Sequence, residues 1–305
     1  MKTGSKVSVI MAVRDAADTI AATIDSVRNQ SFDGFEFIIV DDGSTDGTGD
    51  IVAAIKDRRL RLLRQENAGP SAARNSAVEC ASGTFISCID GDDVWSPHKL
   101  ERQLRAFEEN PDAGVVYGWA DFVDEDDRYI CADPRPTHQG HVYEALLRRN
   151  FISSGSNAMY RRDLFCAVGG FDCDLRAVED WELHVRLAKV ARFTQVSDVL
   201  VRYRQRPNSL SGNLALMEQA FDLASEKIFG DAPPALNYLR ARCRASFYFY
   251  LAVRATQTGH GPRRWLQASR LAALALRHEP VHVLALAAKG APIASMRLAF
   301  SERRS

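Results

Sequence analysis

The first 120 residues alternate short apolar runs with segments in which apolar side chains recur at helical spacing, as Ile20, Ile24 and Val27 do. The apolar runs predict five buried strands, at residues 7–11, 37–40, 60–63, 85–89 and 114–117. Helical segments separate them, among them one that Gly69-Pro70-Ser71 opens and one that starts at Pro97. This alternation predicts an α/β fold with a mainly parallel central sheet and helices on both faces.

The pattern changes after residue 120. Residues 120–206 are less regular and contain one amphipathic helical segment, at 181–190. Residues 214–305 have a helical pattern, with breaks at Pro233-Pro234, at 259–262 and at 290–292. We therefore expect one α/β domain over residues 1–213, with halves 1–120 and 121–213, followed by a helical C-terminal region over 214–305.

Composition excludes several classes of protein. The 305 residues are 46 % hydrophobic, enough for a substantial core, and their formal net charge of zero predicts no nucleic-acid partner. The six cysteines lack paired metal-ligand spacing, which is typical of reduced core residues in a cytosolic protein. No signal peptide is expected, because the N-terminus enters a strand directly, and no run of about 18 apolar residues predicts a transmembrane helix. We therefore expect a cytoplasmic location.

The charge is concentrated at the C-terminus. Residues 261–305 contain eight Lys and Arg against two Glu, a net charge of +6. Apolar anchors accompany these charges: Trp265, Leu266, Leu271, Leu274, Leu276 and Phe300. One hypothesis is a basic amphipathic surface that contacts an anionic membrane peripherally, at its inner face. The alternative is a helical appendage packed on the domain with solvated arginines, which the breaks at Glu279-Pro280 and 290–292 favour.

Candidate chemistry begins at Asp90-Gly91-Asp92-Asp93, directly after the apolar strand at 85–89. Neighbouring carboxylates at the end of a buried strand need a cation, and oxygen ligands suit Mg²⁺ or Mn²⁺. Ligands of parallel α/β sheets bind at the carboxyl ends of the strands. A metal ion there could hold a diphosphate, which indicates a nucleotide-activated substrate.

Three further motifs occur in order along the chain: Asp41-Asp42-Gly43-Ser44-Thr45-Asp46, the segment 67–75 ending in Arg74-Asn75, and Gly170-Phe171-Asp172 with Glu179-Asp180-Trp181. Together with the first strand and the acidic tetrapeptide, they resemble the family-two glycosyltransferases of the GT-A fold over residues 7–213. The resemblance implies a Rossmann-like GT-A domain with a nucleotide-binding half, 1–120, and an acceptor-binding half, 121–213. It also implies inverting transfer of a sugar from a nucleotide-diphosphate donor.

The resemblance implies roles for residues of the nucleotide site. Asp42, or else Asp41, is expected to bind the base; the alternative is that these side chains cap the next helix. Ala12 and Arg14 stand where the family usually has Thr-, Tyr- or Asn-like residues, so Arg14 is expected either to stack on the base or to contact phosphate, and the nucleotide is UDP or dTDP. Arg74 is expected beside the nucleotide rather than on the solvated surface.

The resemblance also implies the catalytic centre. Asp90, followed by Gly91, is expected to contact the ribose or donor sugar, and Asp92 to bind the Mn²⁺ or Mg²⁺ that bridges the phosphates. Asp93 is expected either to orient donor hydroxyls or to cap the helix near Pro97. Asp180 is the first candidate for the general base that deprotonates the acceptor hydroxyl, and Glu179 is the second. The alternative is that both acids only complement a helix dipole.

The predicted activity is transfer of a single sugar to a glycan or lipid-linked acceptor, in surface polysaccharide or glycolipid synthesis. Arg264-Trp265 lacks the Gln three residues earlier that the motif of processive synthases requires. The segment 202–205, Arg-Tyr-Arg-Gln, either neutralises diphosphate or is a solvated edge strand. Two alternatives stay open: a catalytically silent nucleotide-sugar-binding module and a sugar nucleotidyltransferase. The latter would need a Gly-rich phosphate loop near the first strand, and that loop is missing from the sequence.

Overall fold

A computed structural model of the chain describes residues 6–206, 209–258 and 261–288. The strands of these residues are β1 Val7–Val13, β2 Phe35–Asp41, β3 Leu60–Arg64, β4 Phe85–Cys88, β5 Val94–Trp95, β6 Ala113–Val123, β7 Tyr129–Ala132, β8 Met159–Arg161 and β9 Arg192–Arg204. The helices are α1 Ile20–Arg28, α2 Thr48–Ala53, α3 Pro70–Glu79, α4 Lys99–Glu109, α5 Tyr143–Arg148, α6 Arg162–Ala167, α7 Glu179–Val190, α8 Leu214–Gly230, α9 Leu239–Thr258, α10 Gly261–His278 and α11 Pro280–Ala288. All five predicted strands and the predicted helices up to α4 are confirmed.

One twisted sheet forms the centre, in the order β3-β2-β1-β4-β8-β6-β9-β5, with β7 paired to β6. Strands β1 to β4 pair in parallel, as do β6 and β9. Strand β8 joins β4 and β6 in antiparallel fashion, so the fifth predicted strand does not lie next to the fourth. Strand β9 lies between β6 and β5, and the prediction of a solvated edge strand at 202–205 is therefore wrong.

Helices cover both faces of the sheet, as predicted. Successive residues of a strand point to opposite faces, so Ile10 packs with α3 and α7, whereas Val9 and Met11 pack with α1 and α4. These two clusters are the cores of the two layers, and each also surrounds a fully buried polar side chain: His184 lies against Tyr160, and Lys99 lies against Trp95. The α/β fold with C-terminal helices is confirmed.

The C-terminal helices pack on this domain. The ring of Phe221 in α8 stacks between Trp181 of α7, at 5.4 Å, and Phe247 of α9, at 3.8 Å between centroids. A separate apolar cluster joins α8, α9 and α10, and Leu271 is buried in it. Leu271 is therefore a core residue, and its prediction as a membrane anchor is wrong. The division at 213 stays a prediction.

None of the helices in the described ranges is long and apolar enough to cross a membrane. The predicted break at Glu279-Pro280 separates α10 from α11. Residues 259–260, the predicted break at 290–292 and the anchor Phe300 lie outside the described residues.

Candidate active site

A cleft of about 1800 Å³ opens at the carboxyl ends of β1, β2 and β4. One wall comes from the loops after these strands and from the start of α3, and the opposite wall comes from residues 131–155, the start of α7 and one face of α9. Nine of the eleven predicted site residues line the cleft: Ala12, Arg14, Asp42, Arg74, Asp90, Gly91, Asp92, Glu179 and Asp180. Asp41 and Asp93 do not line it.

The loops after β1 and β2 hold each other in place. Asp15, which has a positive φ of 50°, accepts the Thr45 N–H at 2.8 Å, and Asp46 accepts the Ala17 N–H at 2.9 Å. A non-glycine residue in the left-handed region is uncommon and needs such support. The result is that Arg14 stands half-exposed at the mouth of the cleft, where it can meet a base or a phosphate.

Asp42 organises the segment that leads into α3. Its Oδ1 accepts hydrogen bonds from Gln65 Nε2 and from the Ala68 N–H, both at 2.8 Å, and its Oδ2 accepts the Gly69 N–H at 2.9 Å. The alternative prediction was that Asp42 caps the next helix, which is α2. That prediction is wrong, because its hydrogen bonds go to the residues that precede α3. Asp41 is buried and accepts the Ser44 N–H at 2.9 Å, inside the turn between β2 and α2.

Arg74 joins two predicted site carboxylates. It is buried, with Nη2 2.6 Å from Asp90 Oδ1 and Nη1 2.6 Å from Glu179 Oε1. Burial opposes its charge, but Asp90 and Glu179 outweigh burial, so the pKa of Arg74 is raised. The surface alternative for Arg74 is wrong, since the side chain ties the acidic tetrapeptide to the start of α7.

Among the described residues, two other cleft carboxylates, those of Asp92 and Asp180, form no ion pair, and their pKa values are raised. Burial, and then the charge of Asp90, raises the pKa of Asp92 to about 6. Burial, and then the charge of Glu179, raises the pKa of Asp180 to about 7. Carboxyl groups with raised pKa values in a cleft are typical of functional sites.

Gly91 keeps the acidic tetrapeptide close to β1. A Cβ atom at Gly91 would lie 2.8 Å from Val13 Cγ2, so a side chain there would push the tetrapeptide away. The Gly91 carbonyl accepts hydrogen bonds from Thr19 Oγ1 at 2.9 Å and from Thr23 Oγ1 at 3.1 Å, both on the side of α1. Gly91 therefore positions Asp90 and Asp92 through its backbone.

Asp93 has a structural position. It is fully buried and accepts hydrogen bonds from Ser154 Oγ at 3.0 Å, Ser156 Oγ at 2.5 Å and the Arg204 N–H at 3.0 Å. Burial, then Asp92, raises its pKa well above the ordinary range. These contacts correct both predictions for Asp93, because it neither reaches the cleft nor caps α4, which begins at Lys99.

The end of β9 supports the same loop. Arg204 is buried and donates to the Asp92 carbonyl at 2.9 Å and to the Glu125 carbonyl at 2.9 Å, so it holds backbone rather than substrate. Arg206, which the sequence analysis did not single out, lines the cleft, and its charge acts to lower the pKa of Asp92. Of the basic residues in this segment, Arg206 is the one placed to meet a diphosphate.

Sequence reasoning also missed Asp133, which lies in the less regular segment 120–206, and the face of α9 that lines the cleft. Asp133 is buried, receives a hydrogen bond from Ser153 Oγ, and has a pKa that burial raises to about 7. The signal that could have identified α9 is its row of polar and aromatic residues four positions apart: Arg242, Ser246, Tyr250 and Arg254.

The family Glycosyl transferase family 2 matches residues 8–169, more than half of the chain. The chain therefore belongs to this family. It is 34 % identical over 216 residues to the putative teichuronic acid biosynthesis glycosyltransferase TuaG of Bacillus subtilis, covering 68 % of this chain and 82 % of TuaG. It is 41 % identical over 113 residues to WfgD of Escherichia coli, a UDP-Glc:alpha-D-GlcNAc-diphosphoundecaprenol beta-1,3-glucosyltransferase, covering 37 % of this chain and 44 % of WfgD.

Solved structures share the fold. TarS 1-349 of S. aureus in complex with UDP-GlcNAc superposes with a TM-score of 0.65 at 20 % identity, covering 96 % of this chain and 89 % of that one. The mannosyltransferase PcManGT of Pyrobaculum calidifontis, in complex with GDP-Man and Mn²⁺, has a TM-score of 0.58 at 20 % identity, covering 96 % of this chain and 81 % of that one. The chain spans about half the length or less of several curated relatives that it matches.

Proposed function

We propose that this protein is an inverting, metal-dependent glycosyltransferase that moves one sugar from a UDP- or dTDP-sugar to an acceptor hydroxyl. The observation that carries the proposal is the single cleft that Asp90, Asp92 and Asp180 line together. We take residues 1–120 as the nucleotide-binding half and 121–213 as the acceptor-binding half. Membership of the family and the solved complex of TarS with UDP-GlcNAc support a nucleotide-sugar donor.

The acidic tetrapeptide fits a divalent metal ion that the donor helps to coordinate. No group of three or more His, Cys, Asp or Glu side chains among the described residues could hold a metal ion. Asp92, with Asp90 beside it, would supply carboxylate oxygens, and diphosphate oxygens would complete the coordination. When bound, Mn²⁺ or Mg²⁺ stabilises the charge that develops on the leaving diphosphate. The complex of PcManGT with GDP-Man and Mn²⁺ supports this assignment.

Asp180 is the proposed general base. Its pKa of about 7 lets it be ionised at neutral pH and still accept a proton in the transition state. It takes the proton of the acceptor hydroxyl while that oxygen bonds to the anomeric carbon and the bond from that carbon to the diphosphate breaks. Glu179 is held by Arg74 at 2.6 Å, which makes it the positioning residue of the pair.

The nucleotide contacts rest on Asp42 and Arg14. A carboxylate can accept a hydrogen bond from the imide N–H of uracil or thymine, and Asp42 lines the cleft with its lone pairs only partly used by backbone amides. Arg14 offers a planar guanidinium that can stack on the base or bind phosphate. Arg206 is the second cation available to the diphosphate.

The acceptor is proposed to be a glycan or a lipid-linked sugar in surface polysaccharide or glycolipid synthesis. The names of TuaG, a teichuronic acid enzyme, and of WfgD, which acts on a diphosphoundecaprenol-linked sugar, support this context. We also propose a cytoplasmic location. The enzyme and its nucleotide-sugar donor would have to be on the same side of the membrane.

A nucleotide-sugar panel tests the proposal. Thermal unfolding is followed with UDP-, dTDP- and GDP-sugars, each with and without Mn²⁺, and donor hydrolysis is measured in parallel. A ligand that binds only the folded state at 100 times its Kd stabilises it by about 2.7 kcal/mol. We expect a metal-dependent rise of the melting temperature with a UDP- or dTDP-sugar, and hydrolysis of the same donor. Binding without any hydrolysis or transfer would instead identify a silent binding module, and no binding at all would contradict both.

A further inference from the structure

The wall of the cleft that faces the donor residues is formed by α9, which lies beyond the expected acceptor half. Four of its residues line the cleft at intervals of four positions: Arg242, Ser246, Tyr250 and Arg254. Residues four apart lie on one face of a helix, so these side chains form a continuous row. From Tyr250 to Arg242 the row extends eight residues, or about 12 Å at 1.5 Å per residue.

The two ends of the row differ in their surroundings. Arg254 donates a hydrogen bond to Gln205 Oε1, and Gln205 follows the Arg204 that holds the Asp92 carbonyl, so this end of α9 adjoins the donor side. Tyr250 stands one turn further along the row. Its pKa is raised by burial between the cleft walls, and the charges of Asp180 and Asp133 add to the rise. Tyr250 and the proposed base Asp180 both line the cleft, and Arg242 lies about two turns of α9 away from Tyr250.

Tyr250 and Asp133 have the chemistry of a sugar-binding site. The tyrosine is 42 % exposed although the cleft surrounds it, and its hydroxyl has no hydrogen-bond partner in the part of the chain that the structure describes. Asp133 is buried at the cleft wall with Oδ2 engaged by Ser153, while Oδ1 has no partner among the described residues. A partly exposed aromatic ring and a carboxylate oxygen without a hydrogen bond can bind the apolar face and the hydroxyls of a pyranose ring.

Arg242 differs from the other arginines of the same helix segment. Arg240 pairs with Glu226, and Arg244 pairs with Asp222 at 3.2 Å and with Glu226 at 3.1 Å. No carboxylate within the described ranges pairs with Arg242. Its half-buried side chain lines the cleft instead. An unpaired guanidinium in a cleft is suited to a phosphate, with which it can form two parallel hydrogen bonds.

We propose that the α9 row is the acceptor site and that the acceptor is a sugar phosphate, with its pyranose ring on Tyr250 and Asp133 and its phosphate on Arg242. The inference rests on the proposed function, because it places the acceptor hydroxyl next to Asp180. The distance along α9 from Tyr250 to Arg242 leaves room for a sugar ring followed by one or two phosphates. The same chemistry is offered by a soluble sugar phosphate and by a lipid-linked sugar diphosphate.

Calorimetry on the full chain tests the site separately from the donor site. UDP and Mn²⁺ are first added to saturation, and their own binding isotherm reports on the proposed function. The 1-phosphates of glucose, galactose, N-acetylglucosamine and N-acetylgalactosamine are then titrated, with the free sugars and inorganic phosphate as comparisons. We expect at least one sugar 1-phosphate to bind about tenfold more tightly than both its free sugar and phosphate, since one charge-assisted hydrogen bond contributes about 1.5–3 kcal/mol.

Variants locate the binding on α9. Arg242→Gln should reduce the affinity for the sugar phosphate about tenfold, towards that of the free sugar, by removing the charge-assisted hydrogen bonds. Tyr250→Ala should weaken the sugar phosphate and the free sugar alike, whereas Tyr250→Phe should keep most of the affinity. Arg240→Gln, a substitution of the same kind on the same helix but outside the cleft, should change neither. The melting temperature of each variant shows whether it is folded.

Two results would overturn the inference. The first is UDP binding that is intact while no sugar 1-phosphate binds more tightly than phosphate or the free sugars. The second is preferential binding that Arg242→Gln and Arg240→Gln affect equally. If the preference is found, decyl diphosphate esters of the same sugar identify the source of the acceptor: a gain in affinity from the alkyl chain indicates a lipid-linked acceptor, and no gain indicates a soluble one.

Discussion

The two walls of the cleft are built in different ways. On the proposed donor wall, backbone amides bind Asp42 and Arg74 binds Asp90, whereas the Asp92 carboxylate has no ion-pair partner among the described residues. On the acceptor wall Tyr250 and Arg242 are open to the cleft. Asp42 and Asp90 are therefore held in place by the protein before any ligand binds, whereas Tyr250 and Arg242 keep polar groups available to a ligand.

The largest effect on this comparison is expected from Asp180→Asn, which removes the proposed base at the junction of the walls. The amide cannot accept the proton, so transfer should fall by about 10²–10⁴-fold. UDP binding by calorimetry should survive, because the donor wall is untouched. Glu179→Gln is the matched comparison, and its loss should be smaller if Glu179 only positions Arg74. If the Asp180→Asn variant transfers sugar at the wild-type rate, Asp180 is not the general base.

The donor wall is tested by Asp92→Asn. Removing this carboxylate should lower turnover by orders of magnitude and weaken the dependence of donor binding on Mn²⁺, and excess EDTA should reproduce the loss in the wild type. Asp112→Asn, an exposed carboxylate outside the cleft, is the control. Asp93→Asn should instead lower the melting temperature, since its partners are Ser154, Ser156 and Arg204. Full activity in EDTA rules out the metal.

Arg74→Ala measures how far the donor wall depends on one ion-pair cluster. Removing one partner from a buried ion pair typically costs about 3–5 kcal/mol, because the remaining charges stay buried without compensation. Asp90 and Glu179 would be left in this state. We expect a lower free energy of unfolding in urea, together with weaker UDP binding. An unchanged free energy of unfolding would show that water replaces the guanidinium.

The pH dependence of transfer should report Asp180. Its pKa is raised to about 7, so kcat/KM should fall about tenfold for each pH unit below pH 7 and level off above it. The sign for stability is opposite: a carboxyl whose folded pKa lies above its ordinary 3.8 stabilises the fold at low pH and loses that contribution as pH rises through 7. Without ligands, Asp180→Asn should therefore have a higher melting temperature than the wild type at pH 8 and a similar one at pH 4. Equal melting temperatures at pH 8 would show that the charge is well solvated.

The smallest effect is expected at a membrane surface. Trp265, Leu266 and Leu276 of α10 are exposed, whereas Leu271 is buried against α9 and is lost as a predicted anchor. With liposomes that contain anionic lipid at low salt, where attraction is strongest, the protein should stay at the bottom of a flotation gradient. Flotation that high salt reverses would instead support peripheral contact through the basic C-terminal region.

Local pattern was sufficient for the donor wall. The strands, the acidic tetrapeptide and the segment ending in Arg74 are recognisable because each functional side chain directly follows a strand or opens a helix, and parallel strands bring those ends to one edge of the sheet. The placement of Asp92 in the cleft follows from the same rule, whereas Asp180 was assigned by the family resemblance, because α7 does not follow a parallel strand. The roles predicted for Asp93 failed, because three neighbouring acids look alike in sequence and only their direction separates them.

By itself, the sequence determined the α/β class, the family and the carboxylates at the strand ends, since these depend on periodicity and on contacts between near neighbours. The tertiary structure alone decided which acids are paired. Arg74 meets Glu179 across 105 positions, and Arg204 meets Asp93 across 111. It alone also decided that α9 forms a wall of the cleft. Contacts of this range depend on how helices pack on the sheet. The four-residue spacing in α9 marks one face of that helix, but it does not specify what the face packs against.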